Sequence, residues 1–136
     1  MAKFRVVGIS FDHIHMGDLL REVFNHPDAE IAGIYDPDRS RMQGAIDNFG
    51  IPEARVFTDL DACMSAAKAD LAIICARTGE HATVVEKVAR HGVNVLVEKP
   101  FARNADEARR VVQAARSRGV TVVAAMWTRS LPRTDI

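Results

Sequence analysis

Short apolar runs alternate with longer segments of helical period along nearly the whole chain, and this alternation constrains the fold more than any other feature. Val6-Val7-Gly8-Ile9 reads as a buried strand. Met16, Leu19, Leu20, Val23 and Phe24 then recur at the spacing of one helix face, which Pro27-Asp28 closes. Ile31-Ala32-Gly33-Ile34-Tyr35 is a second strand, turned by Asp36-Pro37-Asp38. A helix over 38–49 carries Met42, Ala45, Ile46 and Phe49 inward, and Gly50 suits its C′ position. Arg55-Val56-Phe57 gives a short third strand, and Thr58 is placed to cap a helix over 59–67. Leu71-Ala72-Ile73-Ile74-Cys75 is apolar throughout, as a central strand covered on both faces must be. A helix over 80–91 ends at Gly92, and Val93-Asn94-Val95-Leu96-Val97 is the fifth strand. Asn104 with Glu107 forms a capping box for a helix over 105–118, and Val120-Thr121-Val122-Val123-Ala124 is the sixth strand.

Strands separated by helices pair in parallel, because a tight hairpin cannot join parallel neighbours. Right-handed crossovers then predict an α/β fold, a doubly wound parallel sheet of the Rossmann kind. Six strands and an acidic residue ending the second favour the order 3-2-1-4-5-6 over a flavodoxin-like one. A chain of 136 residues buries about two-thirds of the surface it exposes when unfolded, enough for one core. The expectation is one nucleotide-binding domain over 1–125. Residues 126–136 would begin a crossover to a further domain, since Pro132 suits the first turn of another helix.

Lys and Arg number 18 and Asp and Glu 18, a balance that argues against a general nucleic-acid or membrane-surface binder. The two cysteines, Cys63 and Cys75, match no zinc or redox spacing. No apolar stretch approaches the ~18 residues that span a bilayer, and the N-terminus runs straight into a strand. A cytoplasmic protein with no nucleic-acid or membrane partner is expected.

In such a sheet, ligands sit beyond the C-terminal ends of the strands. The segment from Gly8 to His15 takes the place of G-x-G-x-x-G, with Gly8 as the first glycine and Ser10 and His13 standing for the others. A strand-to-helix turn offers backbone N–H groups and a positive dipole end to a pyrophosphate. Gly8, Ser10, Phe11, His13 and Ile14 are therefore candidate cofactor contacts, although the turn alone fits an empty loop equally well. No metal is expected at His13-Ile14-His15, because no acidic or cysteine partner lies at ligand spacing. Asp36 is placed to accept hydrogen bonds from a ribose and to repel a 2′-phosphate, which favours NAD. Arg41, just behind, would receive that phosphate and keeps NADP open. The plainer reading of Asp36 is a turn former before Pro37. After the fourth strand, Cys75, Ala76, Arg77 and His81 are candidates to border the same groove, although Cys75 reads most simply as a small buried hydrophobe and His81 equally well as a structural residue at a helix start.

Glu98-Lys99-Pro100 is the strongest feature. A charged pair ending a buried strand loses hydration and needs compensation. The Lys99 ammonium is a compact donor suited to a developing alkoxide, and Pro100 fixes the turn that aims it, where a cis bond is accommodated.

The stretch EHATVVEKVARHGVNVLVEKPFARNADEARRVV, residues 80–112, resembles the Gfo/Idh/MocA family of NAD(P)-dependent oxidoreductases. The resemblance is carried by His81, by Ala89 with Gly92, by Val95 to Pro100 and by Asp106-Glu107. Asp36-Pro37, and Arg129 with Pro132, extend it over essentially the whole chain as that family's N-terminal domain. It implies a second α/β domain that supplies most of the substrate pocket, the contacts of a homo-oligomer and an acid–base residue. It also implies a catalytic or substrate-positioning role for Lys99 and a cofactor-side place for Glu98. The glycine pattern departs from the family, as does Ala76-Arg77-Thr78 where Thr-Pro-Asn is usual.

The expected function is the nucleotide-binding half of an NAD(P)-dependent oxidoreductase. It would move hydride to or from a sugar, polyol or related cyclic alcohol and be inactive alone. A stand-alone, non-catalytic nucleotide-sensing or interaction module is the alternative, favoured by the eroded glycines and opposed by Glu98-Lys99-Pro100. An FMN-binding flavodoxin-like domain would need a Ser/Thr-rich loop after the first strand, and Ser10 alone supplies little of one.

Overall fold

The computed structural model describes residues 2–125, so the expectations for 126–136, Arg129 and Pro132 among them, lie outside the described residues. The strands are β1 (Phe4–Phe11), β2 (Ala29–Tyr35), β3 (Val56–Phe57), β4 (Leu71–Cys75), β5 (Asn94–Glu98) and β6 (Val122–Ala125). Between them run α1 (His15–Asn25), α2 (Gln43–Phe49), α3 (Leu60–Ala67), α4 (His81–Ala89) and α5 (Ala105–Arg118). The six strands form one sheet in the order β3-β2-β1-β4-β5-β6, and every pairing is parallel.

Period-two alternation along the central strands divides the core into two layers. Val7 and Ile9 of β1, with Ala72 and Ile74 of β4, meet Cys63, Met64, Val85, Val88 and Val111 from α3, α4 and α5. Val6 of β1 and Ile73 and Cys75 of β4 face Met16 and Leu20 of α1, with Met42 and Phe49 beyond. Ile9, Ile34 and Ile74 are fully enclosed. Each such side chain contributes roughly 1.5–3 kcal/mol relative to its exposed state.

The helix ends differ from expectation in places: α2 starts at Gln43 rather than at 38, after a 3-10 turn over Arg39–Met42, and α4 ends at Ala89 rather than at 91. The cap of α3 is Asp59, whose carboxylate accepts the Ala62 N–H at 2.7 Å, rather than Thr58. Asp59 is one residue nearer the helix, so its oxygen reaches the third N–H of the first turn. Asn104 caps α5 through Glu107 N–H at 2.9 Å, as expected. The reciprocal arm of the box is displaced, because the Glu107 carboxylate accepts from the Arg103 N–H and guanidinium instead of from Asn104. Strand β6 begins two residues later than predicted. Gly50 and Gly119, at φ +59° and +65°, end α2 and α5 as C′ glycines do.

Candidate functional site

Parallel pairing brings the C-terminal ends of β1, β2, β4 and β5 to one crest. The loops there carry Ser10 to His15, Asp36 to Arg41, Ala76 to Glu80 and Glu98 to Pro100. A cleft of about 520 Å³ opens between the loops after β1, β2 and β4, lined among others by Ser10, Asp12, Tyr35, Pro37, Arg41 and Arg77.

The turn after β1 has a different register from the one read in sequence. Gly8 lies inside β1, three residues before its end, and is buried. A Cβ on Gly8 would stand 3.2 Å from Met16 Sδ and 3.3 Å from a Leu20 methyl, so this glycine lets α1 pack close to the sheet. The positive φ of the turn falls at Ser10, +66°. The fingerprint therefore begins at Ser10, and Ser10, Asp12 and His15 take the three glycine positions. Sequence reasoning anchored the pattern on the first available glycine and so misplaced it by two residues.

The N–H groups of His13 and Ile14 donate to no acceptor among the described residues. They sit at the N-terminus of α1, where the helix dipole favours an anion. Ile14 is an exposed apolar residue on the same turn. Phe11 ends β1 half-buried, and its N–H is already given to the Asp36 carboxylate at 2.7 Å.

Asp36 is fully enclosed, and its second oxygen accepts the Asp38 N–H at 2.8 Å. Its carboxylate pins the end of β1 to the turn after β2. It does not present the free edge that the expected ribose contact requires. Arg41 pairs with Asp12 at 2.5 Å, and Arg77 approaches the same carboxylate at 3.5 Å. Asp12 was not singled out in the sequence, yet it stands at the second glycine position, where the backbone of a dinucleotide fold approaches the pyrophosphate.

His81 is buried rather than open to the groove. Its Nε2 lies 2.8 Å from the Ala76 carbonyl and its Nδ1 3.4 Å from the Phe101 carbonyl. The ring thereby ties the loop after β4 to the loop after β5, which makes it a positioning residue. Cys75 and Ala76 are also buried. Burial, and then the nearby Glu98 charge, push the Cys75 thiol up to about 12, and burial alone does the same to Cys63. Neither sulfur carries thiolate at neutral pH, and both residues are buried.

Lys99 and Pro100 stand exposed at the end of β5, joined by a cis peptide bond. Glu98 beneath them is buried. Its Oε1 accepts the Lys99 N–H at 3.1 Å and lies 3.2 Å from His15 Nδ1. The expectation that no acidic group joins His13 and His15 is therefore corrected. One ligand atom from each of His13, His15 and Glu98 falls within 4.8 Å of the others. Local spacing could not show this, because the sheet brings the acid from a distant strand.

A parallel sheet in this order, with a dipole-backed turn and a charged strand end on one crest, defines a Rossmann dinucleotide-binding domain. The profile of the family described as "Oxidoreductase family, NAD-binding Rossmann fold" matches residues 3–126. The chain belongs to this family, Gfo/Idh/MocA, as the resemblance implied. It is 32% identical over 124 residues to an uncharacterized oxidoreductase of Streptococcus pneumoniae serotype 4, covering 91% of this chain and 32% of that protein. It is 35% identical over 95 residues to the D-apiose dehydrogenase of Paraburkholderia graminis, covering 70% of this chain and 25% of the relative. The WlbA dehydrogenase of Chromobacterium violaceum, solved with NADH and UDP-GlcNAcA, superposes with a TM-score of 0.85 at 21% identity, over 96% of this chain and 37% of that one. The chain thus spans between a quarter and two-fifths of the length of these proteins. No helix among the described residues is long and apolar enough to cross a membrane.

Proposed function

We propose that this domain is the nucleotide-binding half of an NAD(P)-dependent oxidoreductase that acts on a CH–OH group of a sugar, polyol or related cyclic alcohol. The observation that carries the proposal is the placement of Lys99. It stands exposed on the crest that also holds the two free N–H groups of His13 and Ile14. The substrate class is supported by relatives named D-apiose dehydrogenase and inositol 2-dehydrogenase. A second domain would complete the pocket and the homo-oligomer contacts, and the domain alone would turn over little. A cytoplasmic setting, where nicotinamide cofactors are abundant, suits this reading.

The residues present fit a dinucleotide. The N–H groups of His13 and Ile14 would receive the pyrophosphate, and the cleft beside Tyr35 and Pro37 would take the adenosine end. When bound, a nicotinamide supplies the hydride donor or acceptor at its C4. Lys99 would donate a hydrogen bond to the substrate oxygen and stabilise its charge as the carbon–hydrogen bond breaks or forms. Glu98 and Pro100 hold the Lys99 backbone in place. NAD is favoured, because Arg41, the residue placed to receive a 2′-phosphate, is already held by Asp12.

The alternative, a non-catalytic nucleotide-sensing module, draws on one specific observation. The Asp12 carboxylate lies where a pyrophosphate would approach, and two arginines engage it. Fluorescence titration with NADH and NADPH separates the readings. Binding of NADH ahead of NADPH is expected for the oxidoreductase half, and binding of neither defeats it. In the same titration Asp12→Ala is expected to free Arg41 and improve NADPH affinity relative to NADH by about tenfold, the worth of one charge-assisted hydrogen bond. An unchanged ratio would remove Arg41 from cofactor selection.

A further inference from the structure

We infer that His13, His15 and Glu98 form a binding site for one divalent transition-metal ion of the zinc class, open on the side that faces the crest. Two imidazoles and one carboxylate are the donor set of a three-ligand zinc site whose fourth position is left to water or substrate. With metal–ligand bonds of 2.0–2.1 Å, two donors on a tetrahedral ion stand roughly 3.3 Å apart. His15 Nδ1 and Glu98 Oε1 stand 3.2 Å apart, and all three donors lie within 4.8 Å.

The three positions differ in a way that suits such a site. Glu98 is 2% exposed and closes the inner side, held by the Lys99 N–H at 3.1 Å. His15 is fixed by the first turn of α1. His13 lies half-buried on the loop, with its ring 4.3 Å from that of His15. The His13 ring accepts the His15 N–H at 3.1 Å through Nδ1, which ties the loop imidazole to the first turn of α1. His15 occupies the third glycine position of the turn, where a dinucleotide fold normally keeps the helix bare for close packing. A bulky imidazole there, turned to a buried carboxylate, replaces that packing with donor atoms. The inference stands on these residues and does not require the hydride-transfer reading. A metal bound by a chain that binds no NADH leaves it intact.

The test is titration of the 136-residue chain with cobalt(II) and zinc(II) in the absence of nucleotide, read by visible absorption and by calorimetry. One ion per chain is expected. The cobalt form should show the intense d–d bands of a low-coordinate site, with no thiolate charge-transfer band because both cysteines are buried thiols. His13→Ala, His15→Ala and Glu98→Gln are each expected to weaken binding by about 100-fold or more, beyond what loss of a supporting residue costs. His91→Ala, which removes the exposed pair with Asp61, should leave it unchanged. His13→Ala alters a loop side chain outside the core, so it remains decisive if a Glu98 or His15 variant fails to fold. Absence of the cobalt spectrum, a spectrum that survives His13→Ala, or one lost with His91→Ala overturns the site.

Discussion

Lys99→Ala in the intact enzyme is expected to slow the hydride-transfer step by about 100-fold or more while leaving the Kd for the nicotinamide cofactor nearly unchanged. The reason is geometric. Lys99 sits beyond the last residue of β5, and its side chain is exposed on the crest. The groups placed to receive a pyrophosphate are on the turn after β1, so truncating the lysine removes no cofactor contact proposed here. What it removes, on the proposed mechanism, is a positive donor to the substrate oxygen whose charge changes during the reaction. Loss of one such donor typically costs 10²–10³ in rate. Single-turnover absorbance at saturating substrate isolates the chemical step from product release. A rise in KM with kcat unchanged would show that the lysine holds substrate equally in ground and transition states. Unchanged turnover would remove it from the mechanism.

Much of this was legible in the sequence because the signals were local. Apolar runs such as Leu71 to Cys75 and helix faces such as Met16-Leu19-Leu20-Val23 fixed the elements, and their alternation fixed the parallel sheet. The strand order followed from handedness and from the acid at the end of β2. The position of Lys99 was legible for the same reason, since a charge directly after a buried strand must surface at that strand's end. What escaped was whatever depends on contacts between distant segments. Asp36 looked like a free acid at a strand end, and its capture by the Phe11 and Asp38 N–H groups is visible only once β1 lies beside β2. His81 sat in the expected place but faces two carbonyls instead of the groove. The pairing of His15 with Glu98, and of Asp12 with Arg41 and Arg77, joins loops from different strands, and spacing along the chain carries no trace of either. The register of the glycine turn was misread because Gly8 is a packing glycine, and the residue that takes the left-handed conformation, Ser10, is of a type that does so rarely.

Asp36→Ala should lower the unfolding free energy by about 3 kcal/mol or more, an effect larger than any change it makes to cofactor preference. Each of its oxygens accepts a backbone N–H, at 2.7 Å from Phe11 and 2.8 Å from Asp38, in a site with no solvent exposure. Hydrogen bonds to a charged acceptor contribute about 1.5–3 kcal/mol each, and deleting the acceptor leaves both donors without their partner. The Phe11 N–H anchors the residue at which β1 gives way to the nucleotide turn. Its release should loosen that turn and weaken NADH and NADPH together. A ribose-binding acid would behave differently, with stability kept and the NADH-to-NADPH ratio shifted. Urea denaturation beside the two titrations distinguishes these outcomes. Asp36→Asn sharpens the comparison, because the amide keeps one acceptor oxygen and turns an N–H toward the other backbone donor. It should recover at most part of the lost stability if the carboxylate is a structural pin, and most of the stability with altered selectivity if it is a ligand group.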